Sequence, residues 1–175
     1  MSPDRQTSPA SSSPATNRTR ETNDEGNMNW DYPSPFIVRV TVKPDYIDEF
    51  QHTNNVVYLT WMAKAAWEHS KDLGLDFAAY QAVGKGMVVR AHEMEYLGPS
   101  HEGDEIAIAT WITGNDGKLR LRRRFQMVHL RSGKTLLRGR SDFVCIDIKS
   151  GRPTRMPEAF VSAYRPTARE PADQR

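Results

Sequence analysis

A single cysteine, Cys145, stands in this chain of 175 residues, so no disulfide can form within it. Its setting, Phe143-Val144-Cys145-Ile146, is apolar, and the residue reads as a small buried hydrophobe. Long apolar runs are also missing. Nowhere do about 18 apolar residues follow one another, so no segment reads as a membrane span. The first residues lack the apolar stretch of a secretory signal, and a cytoplasmic location is the default expectation. There is no glycine-rich phosphate loop and no His/Cys cluster with metal-ligand spacing, so no metal or cofactor is expected. Charge of one sign is scarce too: the net value is +2, too small to imply a nucleic-acid partner.

What is present suits one globular core, with 38% hydrophobic and 26% charged residues. Residues 1–33 are rich in Ser, Thr, Pro and Asn, with almost nothing apolar before Trp30. They carry three Arg against five acids, net −2, which leaves the rest at +4. Such a segment buries too little to offset its ordering entropy, so 1–33 is expected to be disordered. The tail 165–175 reads alike, and the folded domain is expected over 34–164.

Within it, Phe36-Ile37-Val38-Arg39-Val40-Thr41-Val42 is β-branched and predicts a strand. A loop over 43–53 leads to a helix over 55–73, with Asn54 as its N-cap and Gly74 just past its end. The first half of that helix is apolar nearly all round, which predicts burial on most faces. Lys64, Glu68 and Lys71 form a narrow solvated side with i,i+3/i+4 pairing. A short helical turn over 75–83 ends at Gly84. Strands are expected over 87–97, 104–113, 118–130 and 134–148, the last three as an antiparallel meander because short turns join them. A short helix over 157–164 closes the domain. The order is α+β: one long helix packed on one face of an antiparallel sheet.

The densest chemistry lies at the start of the long helix: Asp48-Glu49-Phe50-Gln51-His52-Thr53-Asn54-Asn55. Free N–H groups at a helix N-terminus can polarise a carbonyl, and a carboxylate beside them can drive attack on it. Asp48 is equally suited to an Asx turn that shapes the loop, and His52 to a loop hydrogen bond. Asp45 and Glu68 are reserve carboxylates. Arg120, Arg122, Arg123 and Arg124, with Arg138 and Arg140 on the next strand, suit a phosphate ligand or a plain exposed strand face.

Three separated segments carry a family resemblance. Asp48-x-x-x-His52-x-Asn54-Asn55-x-x-Tyr58 resembles the D-x-x-x-H-V-N-N-x-x-Y signature of acyl-CoA and plant acyl-ACP thioesterases. Tyr96-Leu97-Gly98-Pro99, then Gly103-Asp104-Glu105-Ile106, resembles the Y-x-x-P…GD-x-I of the same group. Phe143–Lys149 is similar to the last strand of bacterial long-chain acyl-CoA thioesterases. The resemblance is to the hotdog-fold, 4-hydroxybenzoyl-CoA thioesterase-like superfamily and covers residues 36–150. It implies a sheet wrapped around the long helix and hydrolysis of acyl-CoA to acid and CoA without a cofactor. It also implies a homodimer or homotetramer with the acyl channel and CoA groove at a subunit interface.

By that pattern Asp48 is the catalytic carboxylate, as general base or as nucleophile, and the Asn55 N–H binds the thioester oxygen. His52 corresponds to the histidine of acyl-ACP enzymes, yet Phe50 stands where that subfamily has Asn, so its Asp-Asn-His constellation is absent. Val56 and Tyr58 would line the substrate site, and the apolar helix start with Trp111 points to a medium or long acyl chain. Arg122, Arg124 and Arg138 are the expected CoA contacts. Two other readings are a biosynthetic thioesterase acting on an aromatic or polyketide acyl group, on CoA or a carrier protein, and a non-catalytic domain that binds an acyl thioester.

Overall fold

Strand, helix and turn signals resolve into five strands and three helices in a computed structural model that describes residues 28–169. The order is β1 (Phe36–Thr41), a 3-10 turn (Pro44–Tyr46), α1 (Asn55–Asp72), α2 (Phe77–Val83), β2 (Lys85–Tyr96), β3 (Glu105–Asn115), β4 (Arg120–His129), β5 (Thr135–Asp147) and α3 (Glu158–Ala163). The strands form one antiparallel sheet in the order β1-β3-β4-β5-β2. β3-β4-β5 is the expected meander, while β1 and β2 occupy the two edges. With α1 packed on one face, this is the hotdog arrangement.

α1 begins where the cap predicts: the Asn54 side chain accepts from the Val56 N–H, and Gly74 follows the helix at φ +79°. Tyr58, Trp61, Met62, Ala65, Ala66, His69 and Ser70 form its buried face. On the sheet, Gly139 lets the helix come close, because a Cβ there would lie 2.9 Å from Met62 Sδ and Cε. The main core joins α1 to Ile106, Ile108, Phe125, Met127 and Leu137. Burial is one-sided rather than on most faces as expected: Val56 is 67% exposed, and Trp67 also faces outward. A helix lying on a single sheet has a second face, and the described residues do not cover it. Glu68 and Lys71 do pair at the surface, at 2.7 Å. Cys145 is fully buried.

Two expectations change on the outer face of the sheet. Residues 28–33, expected to be disordered, lie across it: Trp30 and Tyr32 meet Trp111 edge-on, at 6.2 and 5.4 Å between ring centroids. Trp111 Nε1 donates to Pro33 O, and the Asp31 carboxylate takes two bonds from Arg138. Two aromatic side chains in six residues bury enough to hold the segment. Trp111 is therefore remote from any acyl site against α1, because it points to the sheet face opposite the helix. Residues 165–169 are also described, with Ala168 packed near Trp111. The disorder expected of 1–27 and 170–175 lies outside the described residues.

Among the described residues no helix is long and apolar enough to cross a membrane.

Candidate active site

The loop before α1 is fixed by hydrogen bonds on both sides. Ile47 and Thr53 bridge as antiparallel partners, the Asp48 N–H donates to His52 O, and Gln51 turns the chain at φ +62°. The Thr53 N–H donates to Ser100 O and the Asn54 N–H to Tyr46 O. Thr53 Oγ1 lies 2.7 Å from Ser100 Oγ, which lies 2.9 Å from Tyr58 OH. All three side chains are buried. Tyr58 thus serves the core side of the site, tying the helix to the loop and to the β2–β3 connection.

Asp48 uses Oδ1 to accept the Phe50 N–H at 2.9 Å, which is the Asx turn; its other oxygen accepts no bond among the described residues. The two readings of Asp48 are compatible, since the turn aims the carboxylate without consuming it. Asp48 lines an open groove with Asp45, Tyr46, Asn54 and Val56. His52, Asn55 and Tyr58 line a second groove with Tyr96, Leu97, Gly98 and Pro99. Within one chain, therefore, the fold gathers His52, Asn55 and Tyr58, while Asp48 and Val56 face a neighbouring groove. The Tyr96 hydroxyl donates to Asn55 O at 3.2 Å. The segments at 48–58 and 96–104, far apart in sequence, meet at the helix start.

In the first turn of α1, Asn54 Oδ1 takes the Val56 N–H and Asn54 O takes the Val57 N–H. The Asn55 N–H has no acceptor among the described residues and is the free donor the helix dipole makes electropositive. Behind this, the His52 ring stands edge-on to His101 at 5.1 Å. Asp104 accepts the His101 N–H and lies 3.2 Å from His129 Nε2. Hydrogen bonds from His101 and His129 hold the Asp104 carboxyl below the usual carboxylate range against the opposing effect of burial. That carboxylate stabilises the β2–β3 turn that backs the groove.

The three arginines expected at CoA lie elsewhere. Leu121 and Phe125 face α1, so strand alternation turns Arg122 and Arg124 to the outer face of the sheet, and Arg138 on β5 likewise. Arg122 pairs with Asp142 at 2.9 Å and Arg138 with Asp31 at 2.7 Å. A ligand at the helix start of the same chain meets none of them. The same alternation turns Arg123 inward, where it is 1% exposed. Its interior position was legible in the pattern Leu121-x-Arg123-x-Phe125, which puts it on the apolar face, but the run of arginines around it suggested solvent.

Residues 42–164 match the family model of the thioesterase-like superfamily. No curated protein sequence matches the chain. Among similar solved structures, a 1,4-dihydroxy-2-naphthoyl-CoA thioesterase from Synechocystis superposes with TM-score 0.67 at 17% identity, over 75% of this chain and 96% of that one. A protein of Staphylococcus aureus, solved in complex with CoA, gives TM-score 0.70 at 19% identity over 79% and 90%. A 12:0-ACP thioesterase from Umbellularia californica gives 0.68 at 17% over 79% and 54%. At such identities the likeness is one of fold.

Proposed function

We propose that this chain, which belongs to the thioesterase-like superfamily, hydrolyses an acyl-CoA thioester at the N-terminus of α1. The chain is a thioester hydrolase; what we add is the carrier, the residues and the assembly. The single observation that carries the assignment of residues is the unaccepted Asn55 N–H beside a loop that holds the Asp48 carboxylate. The N–H stabilises the oxyanion that develops on the thioester carbonyl. Asp48 takes a proton from water as its oxygen attacks the carbonyl carbon, the C–S bond breaks, and the CoA thiolate leaves to pick up a proton. His52 and Tyr58 shape the groove at the Asn55 side, and Val56 flanks the carboxylate.

CoA as the carrier is supported by the Staphylococcus aureus relative in complex with CoA. A homodimer is the working unit. Among the described strands β2, 12 residues long, is an edge bonded only to β5, and an edge that long offers its free N–H and C=O groups to a second copy. Exposed Val56 and Trp67 on α1, with Val88 and Val89 on β2, give that contact an apolar lining. Joining two copies there would cover the second face of α1 and let Asp48 of one copy address the groove of the other. A homotetramer is a further pairing of such dimers.

Thiol release from a panel of acyl-CoA substrates, with wild type beside Asp48→Asn, tests this reading. Turnover that collapses in the variant supports it; turnover that survives moves the chemistry to Asp45, His52 or Glu68. No thiol from any acyl-CoA, with turnover on acyl-carrier substrates, would replace the carrier. A second reading, an aromatic rather than aliphatic acyl group, is favoured by the 1,4-dihydroxy-2-naphthoyl-CoA thioesterase among the similar structures. Aryl and alkyl members of the same panel separate the two.

A further inference from the structure

Among the described residues, Arg123 is a cation buried without a counter-charge. It projects from β4 on the face that meets α1, and no carboxylate among the described residues pairs with it. Nη1 donates to His69 Nδ1 at 2.8 Å and Nη2 donates to Ser70 Oγ at 3.1 Å. The guanidinium carbon sits 5.5 Å from the centre of the Tyr164 ring. All of these partners are neutral. Burial, with Arg123 adding to it, pushes the His69 pKa down to about 4, so the ring is uncharged at neutral pH. The neighbouring hydroxyls bond to one another. Tyr164 OH donates to Ser70 Oγ, which donates to Ala66 O, and Tyr80 OH donates to the Tyr164 oxygen. Burial drives the Tyr80 hydroxyl far above its ordinary range.

A second observation gives the arginine a place to act. Arg123 pairs in register with Ser141 on β5, and Ser141 with His92 on β2. His92 Nδ1 lies 2.8 Å from Ser141 Oγ. These residues make a polar row across a sheet face that is otherwise apolar, and all three line one cavity of about 150 Å³. Its remaining walls are mainly apolar, from Met62, Ala66 and Trp67 on α1 to Phe143 on β5. Exposed Trp67, Val89 and His92 mark where it opens, beside the edge strand β2. A purely aliphatic acyl chain would leave Arg123 unpaired, and a short anionic ligand would leave the apolar walls empty.

Resting on the thioesterase reading above, we propose that this cavity receives the distal end of an acyl group bearing a second carboxylate, which Arg123 binds. The substrate class is then a long-chain ω-carboxyacyl thioester, the half-thioester of a dicarboxylic acid, because Asn55 and His69 stand about 21 Å apart along α1. The guanidinium matches a carboxylate in charge and fork geometry, and the mainly apolar walls strengthen that match. Ser141 and His92 supply further hydrogen-bonding groups along the row.

The test compares matched pairs of acyl-CoA and ω-carboxyacyl-CoA at several chain lengths, and titrates free adipate and suberate by calorimetry. Wild type should favour the ω-carboxy member in kcat/KM by at least about tenfold at its best length, the worth of one charge-assisted bond. Arg123→Met should bring that ratio to about one, and Arg123→Lys should restore part of it, because a point charge lacks the fork. Equal turnover within every pair overturns the proposal, as does a preference that survives in Arg123→Met. A stronger preference for a phenolic acyl group overturns the carboxylate assignment. If Arg123→Met does not fold, the wild-type ratio and Arg123→Lys still decide. The dicarboxylate titration separates the two levels of the argument. Hydrolysis of no acyl-CoA and no acyl-carrier substrate refutes the thioesterase reading, whereas adipate or suberate bound by wild type, more weakly by Arg123→Lys and not by Arg123→Met supports the cavity independently.

Discussion

The two ends of α1 hold polar chemistry in opposite ways. At the N-terminal end, Asp48, His52 and Asn55 lie in an open loop whose main chain is pinned from both sides. The functional groups are free because the backbone bears the constraint. At the C-terminal end, His69, Ser70, Arg123 and Tyr164 are buried, and the side chains constrain one another. An open site can lose a functional group with little effect on stability. A closed one ties function and stability together, since each group is also a partner.

The largest expected effect falls at the open end. Asp48→Asn should lower kcat on CoA thioesters by about 10²–10⁴-fold, the usual range for a lost general base. Asn keeps an oxygen for the Phe50 N–H, so the unfolding free energy should move by less than about 0.5 kcal/mol. Steady-state kinetics beside urea unfolding checks both. A large stability loss would show that the Asx turn, rather than the chemistry, is what Asp48 provides.

This contrast also explains what the sequence revealed. Asn54 as a cap, Gly74 as a stop and Asp48 as a turn residue depend on a few neighbours in the chain, and such signals survive without tertiary knowledge. Strand order in the meander was legible for the same reason. Which face a side chain takes was harder. β3 is buried on both faces, so its near-continuous apolar run gave no parity, and Trp111 was assigned to the wrong side. In β4 the alternation was there to be read, yet four arginines in five residues outweighed it. The split of Asp48 and His52 between two grooves depends on the left-handed Gln51 and the Ile47–Thr53 bridge. The Trp30–Tyr32 strap escaped notice because a polar composition on either side masked two aromatic anchors.

The next effect belongs to the closed end and depends on pH. His69 titrates near 4 when folded and at its ordinary value of 6.5 when unfolded. Between these values the unfolded chain binds the extra proton, so stability rises with pH across this window and is lost as pH falls through it. The loss is at most about 3 kcal/mol and is complete below about pH 4. His69→Gln, whose amide oxygen can still accept from Arg123, should remove this component. Denaturation curves at pH 7, 5 and 4 measure it as the difference between wild type and variant. A difference that does not change with pH would mean that His69 protonates normally in the fold, and the neutral shell around Arg123 would be lost with it.

Smaller again is Asn54→Ala, which strips the cap from the Val56 N–H and should cost about 1 kcal/mol. Its value to the comparison lies in what else moves. With the cap gone, Val56 N–H becomes a second free donor beside Asn55, so the oxyanion site should blur and kcat should fall while KM holds. A matching stability loss with unchanged kcat would detach the cap from the chemistry.

The smallest effect is expected on the outer face, where arginines do have carboxylate partners. Arg138→Ala removes the two bonds to Asp31, an exposed pair, and should cost no more than about 1 kcal/mol. Trp30 and Tyr32 still hold the strap against Trp111, so the tryptophan emission maximum should stay at its wild-type wavelength. KM for CoA thioesters should be unchanged, because Arg138 points away from α1. If KM rises instead, the CoA groove crosses the outer face of the sheet and the Asp31–Arg138 pair competes with its phosphates. Paired and exposed, Arg138 would then be the ligand-binding arginine, and the contrast that sets Arg123 apart from the run around it would collapse.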